Sequence, residues 1–431
     1  MRAIVTAMAL AIGAPAVAQT SVPAPAPTAP AATADPQLLA RIGELVAILD
    51  GRGDYDRFFA AAVKQALPKP QFDAVTAQLK QGYGAPKAVA ETRALNPTTA
   101  MVNVAYERGT VTFAIAVDGS GAVVGLRVLG TAVAETPNDS AEKLAADFRA
   151  LPGQAGFGIY DLAGDAPKSL GEWRGDEAAP LGSAFKLWIL AETARQVQAG
   201  TRRWADVTLL TRPSLPSGIT QAWPPATPMT LQSLATLMIS ISDNTATDTL
   251  LSAIGRDAVG KMAGDSGAAA SSLPVLSTRE AFVLKSDPAR AAAWGKADAA
   301  ARAKMLADPK LWNGPINPTV LAAGKPAAID SVEWFASPAS VARTLARLRG
   351  DETALAILSV NKAVDPGTAA KFAYLGFKGG SEPGVVTLNF LVRTKSGAWR
   401  AVVGNWRRSD ADTPTLTLMT LMTRALVLAS H

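Results

Sequence analysis

Ser183 and Lys186 stand three residues apart in the run Ser183-Ala184-Phe185-Lys186. On a helix that spacing puts both side chains on one face, a turn apart. A neutral amine within reach of a hydroxyl can accept its proton and make the oxygen a nucleophile. Other routes to an activated nucleophile are missing from the sequence. The chain has no cysteine, and its one histidine is the last residue, His431. That leaves no Ser-His-Asp triad, no cysteine nucleophile and no zinc held by His and Cys. If this chain cleaves a bond through a serine, lysine is the natural base.

Two further motifs follow in order. Ser242-Asp243-Asn244 begins 59 residues after Ser183, and Lys378-Gly379-Gly380-Ser381 begins 136 residues after Ser242. Taken alone, Ser242-Asp243-Asn244 reads equally well as a helix-capping sequence. Taken together, the three resemble the active-site motifs of the penicillin-recognising serine enzymes: class A β-lactamases, D,D-peptidases and related esterases. The resemblance extends from about Glu142 to the end of the chain. It implies acyl transfer through a Ser183 acyl-enzyme, with Lys186 as general base and neither metal nor cofactor. It further implies that Ser242 relays a proton to the leaving group and that Asn244 holds substrate and lysine in register. Lys378 would attract a substrate carboxylate, and Gly379 and Gly380 would let the strand backbone approach the substrate closely. The oxyanion hole would be the backbone N–H groups of Ser183 and Ser381. The implied substrate is a small molecule, either a β-lactam amide or a carboxylic ester.

The sequence departs from that pattern in places. Class A enzymes carry a glutamate in an omega loop that activates the deacylating water, within R-x-E-x-x-L-N. Here the corresponding stretch is Leu276 to Leu284, in which Arg279 and Glu280 are adjacent and no asparagine follows. Glu280 is a candidate catalytic base. It is also a good first-turn residue of a helix capped by Thr278. Glu382 directly follows the third motif at the cleft edge, where it either disfavours some anionic substrates or is solvated. Residues 286–325 are alanine-rich, with Trp294 and Trp312 as packing anchors. They suit either a lid over the cleft or an inserted surface helix pair.

The elements that must position these groups can be read from periodicity. Leu38, Leu39, Ile42, Leu45, Val46 and Leu49 recur at helical spacing, with Gly51 and Gly53 beyond them. Residues 55–67 and 71–81 read as two more helices. The period then becomes alternating over 100–106, 110–117 and 122–129, with a hairpin turn at Asp118-Gly119-Ser120-Gly121. Residues 37–130 therefore form a small α+β unit, resembling the NTF2-like or cystatin-like accessory domains fused ahead of secreted serine hydrolases. Residues 131–140 read as a linker. A second domain, 141–431, resembles the β-lactamase/transpeptidase fold, in which helices pack on an antiparallel sheet. In it the expected helices are 142–150, 184–199, 230–240 and 414–429, and the expected strands 156–162, 385–393 and 399–406. The fold class is α+β.

Composition agrees with a globular protein of two domains. Across 431 residues, 48% are hydrophobic and 18% charged, and the net charge is +6. The basic residues are scattered, the densest groups being Arg202-Arg203 and Arg407-Arg408, so no nucleic-acid stripe is formed. At the start, Arg2, the apolar run Ala3–Ala14 and Ala16-Val17-Ala18 compose a secretory signal over 1–18, cut before Gln19. A Pro/Ala-rich tether occupies 19–36. The run is too short for a membrane anchor, so a soluble, periplasmic product is expected.

Overall fold

A computed structural model describes residues 33–133, 138–164, 166–309, 311, 314–317 and 324–431. The signal sequence, nearly all of the tether, the middle of the 131–140 linker and Trp312 lie outside the described residues. The chain divides into two units, with the boundary between Thr131 and Ala132.

In the first unit, α1 (Pro36–Asp50) starts where the Asp35 carboxylate accepts the Gln37 N–H and ends at Gly51, whose φ of 82° is left-handed. The helix expected over 55–67 is two short ones, α2 (Tyr55–Phe58) and α3 (Ala61–Ala66). Phe59 breaks them apart. It forms a β-bridge to Val123, and its ring packs against Tyr55, Phe58 and Phe72. After α4 (Lys69–Tyr83) come β1 (Pro86–Asn96), β2 (Thr99–Tyr106), β3 (Gly109–Val117) and β4 (Val123–Val133). They pair in chain order as an antiparallel meander. β2 and β3 bury alternate residues. β1 was not expected, because most of its residues are exposed and no apolar alternation marks it.

The second unit is built on a five-stranded antiparallel sheet. After α5 (Ala141–Ala150) come β5 (Gln154–Asp161), β6 (Lys168–Trp173) and β7 (Ala179–Pro180). A 3-10 turn, Gly182–Phe185, leads into α6 (Lys186–Gln198). Then follow β8 (Val207–Leu209), β9 (Pro228–Thr230), α7 (Leu231–Ser240), α8 (Asn244–Ile254), α9 (Arg256–Asp265), α10 (Thr278–Lys285), α11 (Pro288–Lys296) and α12 (Ala299–Leu306). β10 (Phe335–Ala336), α13 (Pro338–Arg347), α14 (Glu352–Leu358) and α15 (Pro366–Ala369) lead to β11 (Phe372–Glu382), β12 (Val385–Thr394), β13 (Trp399–Arg407) and α16 (Thr415–Ala429). The sheet order is β11-β12-β13-β5-β6. β6 and β11 join the three strands read from sequence.

Helices cover both faces of this sheet. On one, Leu144 and Phe148 of α5 and Leu418 and Met422 of α16 pack with Phe157, Phe390 and Val402. On the other, Trp188, Leu190, Leu234, Leu250 and Leu345 meet Leu391 and Val403. β12 is therefore buried on both faces along most of its length. α11 is anchored through Trp294, which lies fully inside the helical core. α16 is a packing helix. Its Thr420 and Thr423 hydroxyls donate to Leu416 O and Met419 O, and Arg424 binds Asp139 and Asp147. Among the described residues no helix is long and apolar enough to cross a membrane.

Phe390 stands at the centre of the sheet with no exposed surface. Phe390→Ala is expected to cost about 3–5 kcal/mol of unfolding free energy, measured by urea denaturation. A loss under about 1 kcal/mol would contradict this packing scheme.

Candidate active site

Ser183 lies one turn ahead of the helix expected to carry it. The 3-10 turn Gly182–Phe185 holds the serine, and α6 begins at Lys186. In a 3-10 turn residues i and i+3 eclipse, so the Ser183 and Lys186 positions still stack. The turn is held from beneath by the segment leading into β10. Leu181 donates its N–H to Trp334 O at 2.8 Å, and Gly182 N–H donates to Glu333 Oε2 at 3.0 Å. The Phe185 ring stacks on Trp334 with centroids 3.8 Å apart and planes 1° apart. Behind the turn, α6 is buried nearly all round, as a central core helix must be.

Lys186 has 0% of its surface exposed. Its Nζ donates to Ser242 O at 2.7 Å, Ser242 Oγ at 3.0 Å and Asn244 Oδ1 at 2.8 Å. Burial, reinforced by the nearby charge of Lys378, holds its amine well below the usual lysine range. Asp248 and Asp243 oppose that shift more weakly. A base that sheds its proton more easily is what serine activation needs.

In the structure Ser242-Asp243-Asn244 both caps a helix and contacts Lys186. Asp243 caps α8 by accepting Ala246 N–H at 2.9 Å. Its buried carboxylate also accepts Ile219 N–H at 2.8 Å, Thr220 N–H at 2.9 Å and the Thr220 hydroxyl at 2.6 Å. The flanking residues turn the other way, toward Lys186. Ser242 has φ 58°, a left-handed conformation rare for a residue with a side chain. Such strain costs about 1–3 kcal/mol and persists only where the surroundings impose it. The 214–220 loop does so. Ser217 Oγ donates to Ser242 O at 2.6 Å, and Asn244 donates through its N–H to Ser217 O at 3.0 Å and through Nδ2 to Leu215 O at 3.2 Å. Gly218, at φ 112°, passes so close that a Cβ there would strike the Asp243 carboxyl.

β11 closes the opposite side. Lys378 is buried, and its Nζ donates to Ser242 Oγ at 3.2 Å and to Gly379 O at 2.5 Å. Asn389 Nδ2 fixes the strand by donating to Lys378 O at 2.9 Å. Burial pushes the Lys378 amine down to about 7. The Ser242 hydroxyl thus stands between two lysine amines. Gly380 packs directly on the serine turn. A Cβ there would collide with Leu181 O and lie 2.6 Å from Ser183 N. From the other side, a Cβ on Gly182 would lie 3.3 Å from Ser381 N. Gly379 is confined by Phe377 and Thr387 O. The backbones of Ser183 and Ser381 are therefore neighbours.

Glu280 is not part of this arrangement. The capping residue of α10 is Ser277, one earlier than expected, and Glu280 completes a capping box by accepting Ser277 N–H at 2.7 Å. Arg256 grips both its oxygens at 2.8 Å. With 0% exposure and each oxygen committed, Glu280 braces the loop and has no free edge for a water. The candidate catalytic role is corrected on that ground. Glu382 is likewise neither solvated nor free at a cleft edge: it is ion-paired with Lys285, which also pairs with Glu333 at 2.6 Å.

Asp248 was missed from sequence. It sits one turn beyond Asn244, and burial pushes its carboxyl up. It accepts Ser214 Oγ at 2.6 Å and the N–H groups of Thr278 and Arg279 at 2.7 and 3.0 Å, so it ties the 214–220 loop to α10. Its i+4 spacing from Asn244 was a usable signal; Ser214 and Ser217 had none. Among the described residues no group of His, Asp or Glu could hold a metal.

A serine in a tight turn, a buried lysine behind it and a second lysine on a glycine-rich edge strand form an arrangement like that of the penicillin-recognising serine enzymes. Residues 139–373 match the model of the beta-lactamase enzyme family, and the chain belongs to that family. No curated protein matches the chain. Among solved structures, a β-lactamase of Sphaerobacter thermophilus is 22% identical with a TM-score of 0.46, covering 67% of this chain and 96% of its own. A β-lactamase of Chitinophaga pinensis is 16% identical with a TM-score of 0.44, covering 68% and 98%. PBP-A is 18% identical with a TM-score of 0.43, covering 67% and 93%.

If Glu280 is a brace, Glu280→Gln takes the carboxylate charge from Arg256, sets an amide N–H against its guanidinium and lowers stability by about 3–5 kcal/mol. Hydrolysis per folded molecule should survive. Urea unfolding and active-site titration of the variant check both parts; wild-type stability with lost turnover would restore Glu280 to catalysis.

Proposed function

We propose that this protein is an exported serine hydrolase that transfers acyl groups to water through Ser183, with Lys186 as general base. The observation that carries the reading is the Lys186 amine. It is buried, shifted toward its neutral form and hydrogen-bonded to Ser242 Oγ, within one turn of Ser183. In the first half-reaction Lys186 takes the Ser183 proton as the serine oxygen attacks the carbonyl carbon. The carbonyl oxygen becomes an oxyanion facing the Ser183 and Ser381 N–H groups. Ser242 passes a proton to the leaving oxygen or nitrogen as the bond breaks. In the second half-reaction water attacks the acyl-enzyme, and the same groups run in reverse.

Small carboxylic esters are the proposed substrates of turnover, with β-lactam amides as the second class. The alcohol of an ester departs and leaves room for water. A ring-opened β-lactam keeps its amine tethered at the site and depends more on a dedicated water base. The commitment of Glu280 to Arg256 and Ser277 removes the candidate for that role. Acylation by a β-lactam therefore outlasts acylation by an ester. A cell-wall peptidase, the remaining alternative, would share the long-lived penicillin adduct but turn over D,D-peptides. Leu215 and Ile219, whose backbones bond to Asn244 and Asp243, and Ile241 are exposed beside Ser242 and favour apolar substituents. The N-terminal unit is proposed as an accessory module of the NTF2-like kind. The signal-like segment over 1–18 supports export, with the periplasm as the proposed location.

Purified protein should hydrolyse p-nitrophenyl esters continuously and a chromogenic cephalosporin as a burst followed by slow release. Ser183→Ala should abolish both. Ester turnover that survives Ser183→Ala would sink the assignment, and sustained cephalosporin turnover would make β-lactam amides the main substrate.

Lys378 gives a pH signature. Its charge fades as pH rises through about 7. KM for an ester bearing a carboxylate should rise above that pH, and KM for a neutral ester should stay flat. In Lys378→Arg, whose charge persists, the rise should vanish. An identical pH profile for the two esters would rule out Lys378 as the carboxylate partner.

A further inference from the structure

Three ionisable side chains that the mechanism leaves unused are packed together beside the serine turn. Lys285, from the end of α10, is buried. Its amine pairs with Glu333 Oε1 at 2.6 Å and, on the other side, with Glu382. Glu333 is buried too, and its second oxygen is used. Glu333 Oε2 accepts Gly182 N–H at 3.0 Å and Trp334 N–H at 3.3 Å. Glu382 ends β11 and follows Ser381 directly. One end of the cluster thus holds the residue before Ser183, and the other end is covalently the residue after Ser381.

We propose that Lys285, Glu333 and Glu382 form a positioning device that ties the turn carrying Ser183 to the end of the strand carrying Ser381. The proposal rests on the acyl-transfer reading for its catalytic consequence. The two N–H groups assigned to the oxyanion belong to different elements, the 3-10 turn and an edge strand. Glycine at 182 and 380 lets those elements touch, but glycine adds no restraint of its own. The lysine supplies it by bridging a carboxylate on the turn's side to one on the strand's side. A bridge of like groups around one ammonium is a poor source of stability when buried. Its value lies in fixing geometry at about the tolerance that an oxyanion site needs.

The bridge depends on protonation. Two charged groups face Glu382: Lys285 from α10 and Glu333 from the segment before β10. Burial and the Glu333 charge hold the Glu382 carboxyl well above the usual carboxylate range, against the weaker opposing pull of Lys285. Glu333 and Lys285 hold each other, and the Lys285 amine is raised. With Glu382 protonated, the cluster contains one ammonium and one carboxylate. Ionising Glu382 adds a second negative charge inside the protein. Because its folded value is raised, the stability it contributes is present at low pH and is lost as pH rises through that value.

Three variants and two readouts test this. In Glu382→Gln the side chain keeps its size and cannot ionise. Its kcat for the ester should match wild type at low pH and lack the alkaline decline expected of wild type as Glu382 ionises. Glu333→Gln weakens the grip on Gly182 N–H and should lower kcat by roughly tenfold or more with KM little changed, below the loss seen when an oxyanion donor itself is removed. Lys285→Met should do the same. An alkaline decline that persists in Glu382→Gln, or kcat unaltered in both Glu333→Gln and Lys285→Met, overturns the proposal. The second readout is hydrogen exchange of the peptide spanning 181–186, corrected for intrinsic pH dependence. It should quicken in Glu333→Gln, and in wild type as pH rises, but not in Glu382→Gln. Should wild type hydrolyse no ester or β-lactam, the acyl-transfer reading falls and exchange alone decides the tie. Unchanged exchange in every variant refutes it. If Glu333→Gln fails to fold, the Glu382→Gln comparison stands by itself.

Discussion

The structure of the second unit is organised around one costly object, an amine with no contact to solvent. A lysine head group inside a protein must find acceptors for its N–H bonds or lose its charge. Lys186 does some of both. Its three acceptors come from the turn between α7 and α8, so that turn must present a carbonyl, a hydroxyl and an amide oxygen within a few ångströms. The demand explains the left-handed backbone at Ser242, since an ordinary entry to α8 would aim the Ser242 side chain elsewhere. It also explains why the 214–220 loop is lashed down by Asp243, Ser217 and Gly218. That loop has little regular structure, and its shape is set by side chains that answer to Lys186.

The second constraint is the contact between the serine turn and β11. Backbone segments usually keep side-chain distance from one another. Here the missing Cβ atoms at Gly380 and Gly182 let two backbones meet, and Thr387 Oγ1 adds a hydrogen bond to Leu181 O at 3.0 Å. β11 can serve this role because it is the sheet's edge strand, with one side unpaired by any neighbouring strand. The edge that would otherwise be a liability is covered by the turn that carries Ser183.

The fold was legible in the sequence wherever burial was one-sided or complete. β2 and β3 alternate and were read correctly in outline. β12 and β13 carry long apolar runs and were read as well. β1 and β6 are largely exposed and share no pattern with their neighbours, so tertiary pairing alone defines them. Phe59 split an expected helix because a bridge to Val123, distant in sequence, outweighed local propensity. At the site, three motifs far apart in the sequence carry Lys186, Ser242, Asn244 and Lys378, and the structure brings these four side chains together. Glu280 shows the limit of that reasoning. Its capping-box pattern and its catalytic pattern occupy the same positions, and only Arg256, 24 residues back, separates them. Lys285 and Glu333 were invisible for the same reason, their partners lying 48 and 97 residues away from Lys285.

Carboxylates are plentiful around Ser183, yet the placement of each keeps its charge from the reacting atoms. Asp243 is spent on backbone N–H groups and the Thr220 hydroxyl, Asp248 on Ser214 and two more N–H groups, Glu280 on Arg256, and Glu333 on Lys285 and Gly182. Glu382 faces Lys285, and burial together with Glu333 holds its carboxyl above the usual carboxylate range. A carboxylate saturated with donors exerts far less field than a bare one, because those donors place positive charge against it. The two lysines differ: they are short of counter-ions, and both are shifted downward. The uncompensated charge in this group of residues therefore lies with two amines whose proton affinity is lowered. Such a field favours forming an oxyanion and hence an acyl-enzyme. On the proposed reading, the water of a second step would find no carboxylate base among these groups, and Lys186 would serve both steps. On that reading, departure of the leaving group would open the path between Lys186 and water and would separate substrates this site turns over from those it only holds.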